Sequence, residues 1–337
     1  MNRFAASSGK APLLDLRSVS RRFSRPLDLA AKIARALGSR QKEQVVHAVD
    51  DVSLSVHEGE VLGLVGESGC GKSTLGRMMA GILSPSEGKI LYRGMDVNTL
   101  SPEQRREADL KIQMIFQDPF ASLNPRYRVR DIIGEAPRVH RVVPAKEMDA
   151  FLDGIMLKVG LDPEYGQRYP HQFSGGQRQR IGIARALAVR PECIVCDESV
   201  AALDVSIQAQ IINLFIRLRE ELNLTYVFIS HDISVVEHIS DRVVVMYLGR
   251  VVESADTEEL FARPAHPYTH ALLREVPRLD SRHQSFRPVS GEIPSPLNPP
   301  RGCHFHPRCE RAMPICREQA PVLREIVPGH QAACHLL

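Results

Sequence analysis

Short, continuously apolar runs separated by amphipathic stretches set the rhythm of this chain. Residues 60–65 (EVLGLV), 110–116, 192–196 and 225–230 are apolar runs of strand length. That pattern belongs to strands buried on both faces. Residues 74–83, 181–189 and 206–222 instead carry apolar side chains at helical spacing. Buried strands alternating with helices predict a parallel sheet covered on both faces. Residues 12–23 and 47–56 alternate like edge strands. Between them residues 24–44 hold Arg25, Lys32, Arg35, Arg40 and Lys42. They read as a solvated helix face, with a surface for acidic lipid or a partner as the alternative. From residue 127 to 172 the pattern turns helical, punctuated by Pro137, Pro144 and Pro163. Beyond residue 264 prolines and histidines accumulate and periodicity fades. The expected division is therefore residues 1–262 and a small appended domain over 263–337.

A chain of 337 residues accommodates two or three domains and a substantial core. Its net charge of +3 supplies no global field for nucleic acid, and 5% aromatics without tryptophan supply few platforms for base stacking. No nucleic-acid partner is expected. Residues 1–10 lack the apolar segment of a signal peptide, and no charge-free stretch approaches the length of a membrane span. The chain is expected in the cytosol, or held at a membrane by a partner. Its seven cysteines then read as thiols or metal ligands before disulfides.

The run Gly66-Glu67-Ser68-Gly69-Cys70-Gly71-Lys72-Ser73 fits the phosphate-loop pattern G-x-x-x-x-G-K-[ST]. A strand-like run precedes it and a helix-like run from Thr74 follows, the context that separates this loop from an idle glycine-rich turn. The glycines let backbone N–H groups turn inward around an anion, and the helix N-terminus adds partial positive charge. Lys72 would reach the terminal phosphates and Ser73 would ligate Mg²⁺. A nucleoside triphosphate, ATP by the resemblance below, is the expected ligand.

Four further motifs narrow the class. Phe173-Ser174-Gly175-Gly176-Gln177 opens a helix with a second anion cradle. The apolar run from Cys193 ends in Asp197 and Glu198, suited to holding Mg²⁺ and polarising a water. Ala202-Leu203-Asp204 follows, and Ser230-His231-Asp232 ends the next strand, with Gln117 at an earlier strand end. Over about residues 12–260 this set resembles the ABC-type ATPase, the nucleotide-binding subunit of ABC transporters. The resemblance implies an α/β P-loop NTPase fold: a RecA-like parallel core sheet, an antiparallel β edge and a helical subdomain over about residues 118–185.

It also implies roles. Two such domains would sandwich two ATPs head to tail, Ser174, Gly175, Gly176 and Gln177 of one completing the Lys72 site of the other. Glu198 would orient the attacking water, His231 would sense the γ-phosphate, and Gln117 would link Mg²⁺ and water to the helical subdomain. Asp204 belongs to the loop that meets the partner. Phe23 resembles the aromatic that stacks on adenine, with an ordinary core Phe of an edge strand as the alternative. Ser199 and Ala202 depart from the residues common at those positions, beside the chemistry but without removing a catalytic group.

The tail carries a second resemblance. His266-Pro267-Tyr268-Thr269, Gly291-Glu292-Ile293-Pro294-Ser295-Pro296 and the run Gly302 to Cys309 are similar to the C-terminal extension of oligopeptide/dipeptide permease ATPases. Phe173 and the run Val205 to Gln210 resemble the second, F-type subunit, which pairs with a related but non-identical ATPase. That family implies two transmembrane permease subunits, an extracytoplasmic binding protein, and a peripheral place on the cytoplasmic face of the inner membrane. Importers of nickel or glutathione, a soluble ABC protein outside transport, and a non-hydrolysing regulatory subunit are the alternatives. Lys72, Asp197, Glu198 and His231 argue against the last.

Cys303, Cys309, Cys316 and Cys334 stand at C-x₅-C-x₆-C-x₁₇-C spacing, without the C-x₂-C knuckle usual for structural zinc. Four thiolates suit a [4Fe–4S] cluster, with zinc and plain thiols as alternatives. Permease relatives with the same tail hold such a cluster, which the resemblance carries over as an expectation. Cys193 and Cys196, on opposite faces of one strand, read as core residues, and Cys70 as inert.

Overall fold

The computed structural model describes residues 11–25, 44–118, 120–201, 203–274 and 291–337. The basic run at 26–43 and Ala202 therefore lie outside the described residues. A four-stranded antiparallel sheet, order β2-β1-β4-β5, comprises β1 (Leu14–Arg25), β2 (Gln44–Val56), β4 (Glu87–Tyr92) and β5 (Met95–Asp96). The larger sheet has eight strands in the order β11-β12-β10-β9-β3-β8-β7-β6. Its parallel part joins β6 (Ile112–Ile115), β7 (Cys193–Asp197), β8 (Thr225–Ile229), β3 (Val61–Val65) and β9 (Arg242–Tyr247).

The period-2 pleat sorts these strands into two cores. Leu62, Leu64, Cys193, Val195, Val227 and Ile229 face the antiparallel sheet, together with Leu75, Met78 and Met79 of α1 (Lys72–Met79). Val61, Val65, Ile194, Cys196, Tyr226 and Phe228 face the other way. There they meet α3 (Val129–Val139), α4 (Met148–Lys158), α5 (Gly175–Leu187) and α6 (Val205–Leu222). Cys193 and Cys196 thus lie in different cores, as their spacing demands.

Some boundaries differ from expectation. Helix α1 begins at Lys72 and stops at Met79, because the chain turns at Gly81, whose φ is +71°. Leu110 and Lys111 end α2 (Pro102–Lys111), opened by a Ser101/Gln104 capping box, and β6 begins only at Ile112. Helix α3 runs through Pro137 to Val139. Helix α5 starts at Gly175 instead of residue 181, since Ser174 caps it.

The tail, whose periodicity fades in the sequence, packs against the main core. Strand β12 (His330–Ala332) pairs antiparallel with β10 (Arg250–Asp256), and β11 (Arg324–Val327) adds the outer edge. Phe305 joins the main core, its ring 5.2 Å from that of Tyr247 and 5.3 Å from that of Tyr268 in α7 (Pro267–Arg274). The tail stands on an existing core. Beneath it Glu253, fully buried, accepts the backbone N–H groups of Ala265 at 2.7 Å and His266 at 2.8 Å. His330 Nε2 lies 2.7 Å from the same carboxylate.

Replacing Glu253 by Ala strands two buried N–H groups and the imidazole. A loss of about 3 kcal/mol is expected, as for other broken buried pairs. Urea unfolding measures it, and limited proteolysis should cut first after residue 300.

Candidate functional site

The C-terminal ends of neighbouring parallel strands deliver the polar groups to one place, where ligands of open α/β sheets bind. Strand β3 leads into the phosphate loop, which must turn sharply. Gly66 has φ +150° and a Cβ there would lie 2.2 Å from the Met246 carbonyl oxygen. Gly71 has φ +106° and a Cβ there would lie 2.1 Å from that of Ala48. Only glycine fits either position.

Lys72 is buried, and its ammonium donates to the carbonyls of Gly66 at 2.7 Å and Glu67 at 3.0 Å. Main-chain dipoles, which carry no net charge, hold it at the loop's centre, leaving it suited to meet an anion. Cys70, 3.8 Å from the ammonium, is buried and its thiol is pushed above its usual range by desolvation, so it stays protonated.

At the end of β7, Asp197 accepts the Ser73 hydroxyl at 2.7 Å. Desolvation raises the Asp197 pKa, an effect opposed by that hydrogen bond. Serine hydroxyl, carboxylate and the Gln117 amide are hard oxygen donors, the set that suits Mg²⁺. Glu198 follows in left-handed conformation, φ +46°, its N–H bonded to the Ile229 carbonyl at 2.9 Å. Such strain in a non-glycine residue is held by surrounding structure and concentrates at working sites. Gln117 Nε2 donates to Glu198 at 2.7 Å, and His231 Nδ1 lies 3.5 Å from the same carboxylate. One carboxylate thus gathers side chains from three strand ends.

Ser68, Gly69, Gly71, Lys72, Ser73, Thr74, Gln117 and Glu198 line one cavity of about 250 Å³ with Val46, Ala48 and Pro296. Gly66, Glu67, Cys70 and Asp197 are not in its lining. Phe23 is not in the lining either; it is exposed, stacked under the Arg21 guanidinium at 4.8 Å. Its register partner across the sheet, Val46, does line the cavity. Ser174, Gly175, Gly176 and Gln177 sit elsewhere. Ser174 accepts the Gln177 N–H at 3.3 Å while Gln177 accepts the Ser174 N–H at 3.1 Å. A Cβ on Gly176 would press to 2.5 Å from Ile207, so signature and α6 pack closely. Asp204 and Val205, both exposed, lie beside that signature and not beside the cavity.

Two tail contacts reach the loop, and a third reaches β2 beside it, without any local sequence signal. Tyr268 accepts the Glu67 N–H at 2.9 Å, Arg308 pairs with the Glu67 carboxylate at 2.7 Å, and Pro296 accepts the His47 N–H at 3.0 Å. Cys303, Cys309, Cys316 and Cys334 border one narrow space of about 10 Å³ with His266, Phe305 and His306. Burial pushes the Cys303 thiol up to about 11 and raises those of Cys309 and Cys334. Among the described residues no three His, Cys, Asp or Glu side chains gather closely enough to hold a metal ion.

This arrangement of loop, acids, glutamine and histidine at parallel strand ends defines an ABC-type ATPase. The model for the ABC transporter family matches residues 49–201, and that for the oligopeptide/dipeptide transporter C-terminal region matches residues 252–316. The chain is 56% identical to the oligopeptide transport ATP-binding protein AppF of Bacillus subtilis, over 86% of this chain and 90% of the relative. It is 50% identical to the dipeptide transport ATP-binding protein DppF of Haemophilus influenzae, over 87% and 90%. The solved structure of cbiO1 from Clostridium perfringens, part of the ABC transporter complex cbiONQ, superposes with TM-score 0.61 at 27% identity, covering 75% of this chain and 92% of cbiO1. The chain belongs to the family of ATP-binding proteins of oligopeptide/dipeptide ABC transporters.

Lys72→Ala removes the only side-chain cation lining the cavity among the described residues. ATP should bind the isolated chain about 10- to 100-fold more weakly, as for loss of a charged hydrogen bond. Titration with a fluorescent ATP analogue measures it.

Proposed function

We propose that this chain is the ATP-hydrolysing subunit of an importer for di- or oligopeptides. The observation that carries the reading is the Gln117–Glu198–His231 group beside Lys72 and the Ser73–Asp197 pair. The names of its relatives supply the substrate class. Lys72 and the loop amides would bind the β- and γ-phosphates, with Ser73, Asp197 and Gln117 holding Mg²⁺. Bound there, Mg²⁺ neutralises charge developing on the phosphates. Glu198 takes the role of base toward the attacking water, oriented by Gln117, while His231 contacts the γ-phosphate. Hydrolysis then rests on positioning and charge stabilisation, without a covalent intermediate.

The exposed Ser174–Gln177 run and Asp204 fit a surface that completes a partner's site. We favour a related, non-identical ATPase as that partner, together with two transmembrane permease subunits and an extracytoplasmic binding protein. Phe23 is assigned to the adenine, because it shares a sheet face with Val46. The division at residues 262 and 263 is retained as a functional one, despite the shared core, and residues 118–185 are taken as the subdomain that meets the permease. No described helix is long and apolar enough to cross a membrane, in keeping with a peripheral place on the cytoplasmic face of the inner membrane.

Glu198→Gln should keep ATP affinity and abolish turnover, trapping the closed dimer. Steady-state hydrolysis in the assembled transporter within a few-fold of wild type would refute the base assignment.

We further propose that the four tail cysteines hold a [4Fe–4S] cluster in a structural role. All four thiols border one cavity, which supports this, and soft thiolates match the Cys₄ requirement. The present spacing of the thiols and the small space they border weigh against it. Protein prepared without oxygen should be brown and hold about four irons per chain. Replacing Cys303, Cys309, Cys316 or Cys334 by Ser should lose the iron, and Cys193→Ser should leave it. A colourless preparation containing zinc or no metal would end this reading.

A further inference from the structure

An acidic residue stands inside a loop built for anions. Glu67, second in the phosphate loop, would repel a polyphosphate if its charge were left bare. It is not bare. Arg308, 241 residues further on, donates from Nη1 to one carboxylate oxygen at 2.7 Å and from Nη2 to the other at 2.9 Å. This bidentate fork is the strongest form of such a pair. The Arg308 side chain is 3% exposed, the Glu67 side chain 19%.

The main chain of Glu67 is engaged as well. Its N–H goes to the Tyr268 hydroxyl at 2.9 Å, and its carbonyl accepts the Lys72 ammonium at 3.0 Å. Glu67 therefore joins the tail on one side to the phosphate-binding lysine on the other. Its carboxylate turns from the cavity, which its side chain does not line.

The geometry points to Arg308 as a positioning residue of the ATP site. By drawing the Glu67 carboxylate into the tail and neutralising it, Arg308 keeps a negative charge off the phosphates. The C-terminal region thus acts on nucleotide affinity without touching nucleotide.

Electrostatics separates this from simple bracing. Arg308→Gln leaves a bare carboxylate in the loop, whereas Glu67→Gln leaves the guanidinium without its carboxylate, and a cation does not repel phosphate. In the full-length chain, at a temperature where each variant is folded by circular dichroism, R308Q should raise the Kd for ATP about tenfold, and E67Q should raise it by a clearly smaller factor. The double variant E67Q/R308Q should return close to wild type, because no charge is left unpaired. R308K keeps the charge but loses the fork, and should fall between wild type and R308Q. The idea is overturned if R308Q binds ATP as wild type does, if R308Q and E67Q weaken binding equally, or if the double variant is no better than R308Q. Should R308Q not fold, R308K decides: ATP affinity below that of E67Q upholds the proposal, and affinity equal to or above that of E67Q overturns it.

Discussion

A buried ammonium held by uncharged carbonyls is the constraint from which the rest of this molecule follows. Lys72 needs partners, and the loop supplies them by folding Gly66 and Glu67 back over it. That fold exists only because two glycines lie against the backbones of β9 and β2 at distances no Cβ tolerates. The strands cannot separate without releasing the loop, and the loop cannot relax without moving the lysine. A cation balanced by dipoles is poised for an anion in a way a salt-bridged cation is not, because no counter-charge must first be displaced.

The other polar groups follow the same economy of placement. Asp197 and Glu198 are consecutive, yet the left-handed turn at Glu198 sends them to different duties, one toward Ser73 and the other toward Gln117 and His231. The signature, closed by its Ser174–Gln177 capping box, lies outside the lining of the Lys72 cavity.

The sheet's parallel part was legible because full burial on both faces forces uninterrupted apolar runs, and the loop because its glycines answer to steric rules no other residue meets. Less visible were β4 and β5, short and half-exposed on an antiparallel edge, and α2, nearly all polar with Ala108 alone buried. The tail's contacts were hidden for a different reason. Its prolines and histidines show no periodicity, and partners such as Glu253 for His330 or Glu67 for Arg308 are too distant in sequence for any local pattern to announce. Long-range pairing of isolated polar groups leaves no trace in hydrophobic rhythm.

Strand β12 meets β10 near the very end of the sequence described, and Arg308 reaches the loop from beyond residue 300. A ribosome makes the loop early and its clamp last. Until the tail clears the exit tunnel, the Glu67 carboxylate has no guanidinium and the sheet lacks its outer pair of strands. The phosphate loop is thus among the first parts of the site to be made, while the groups that brace it from the tail follow more than 200 residues later.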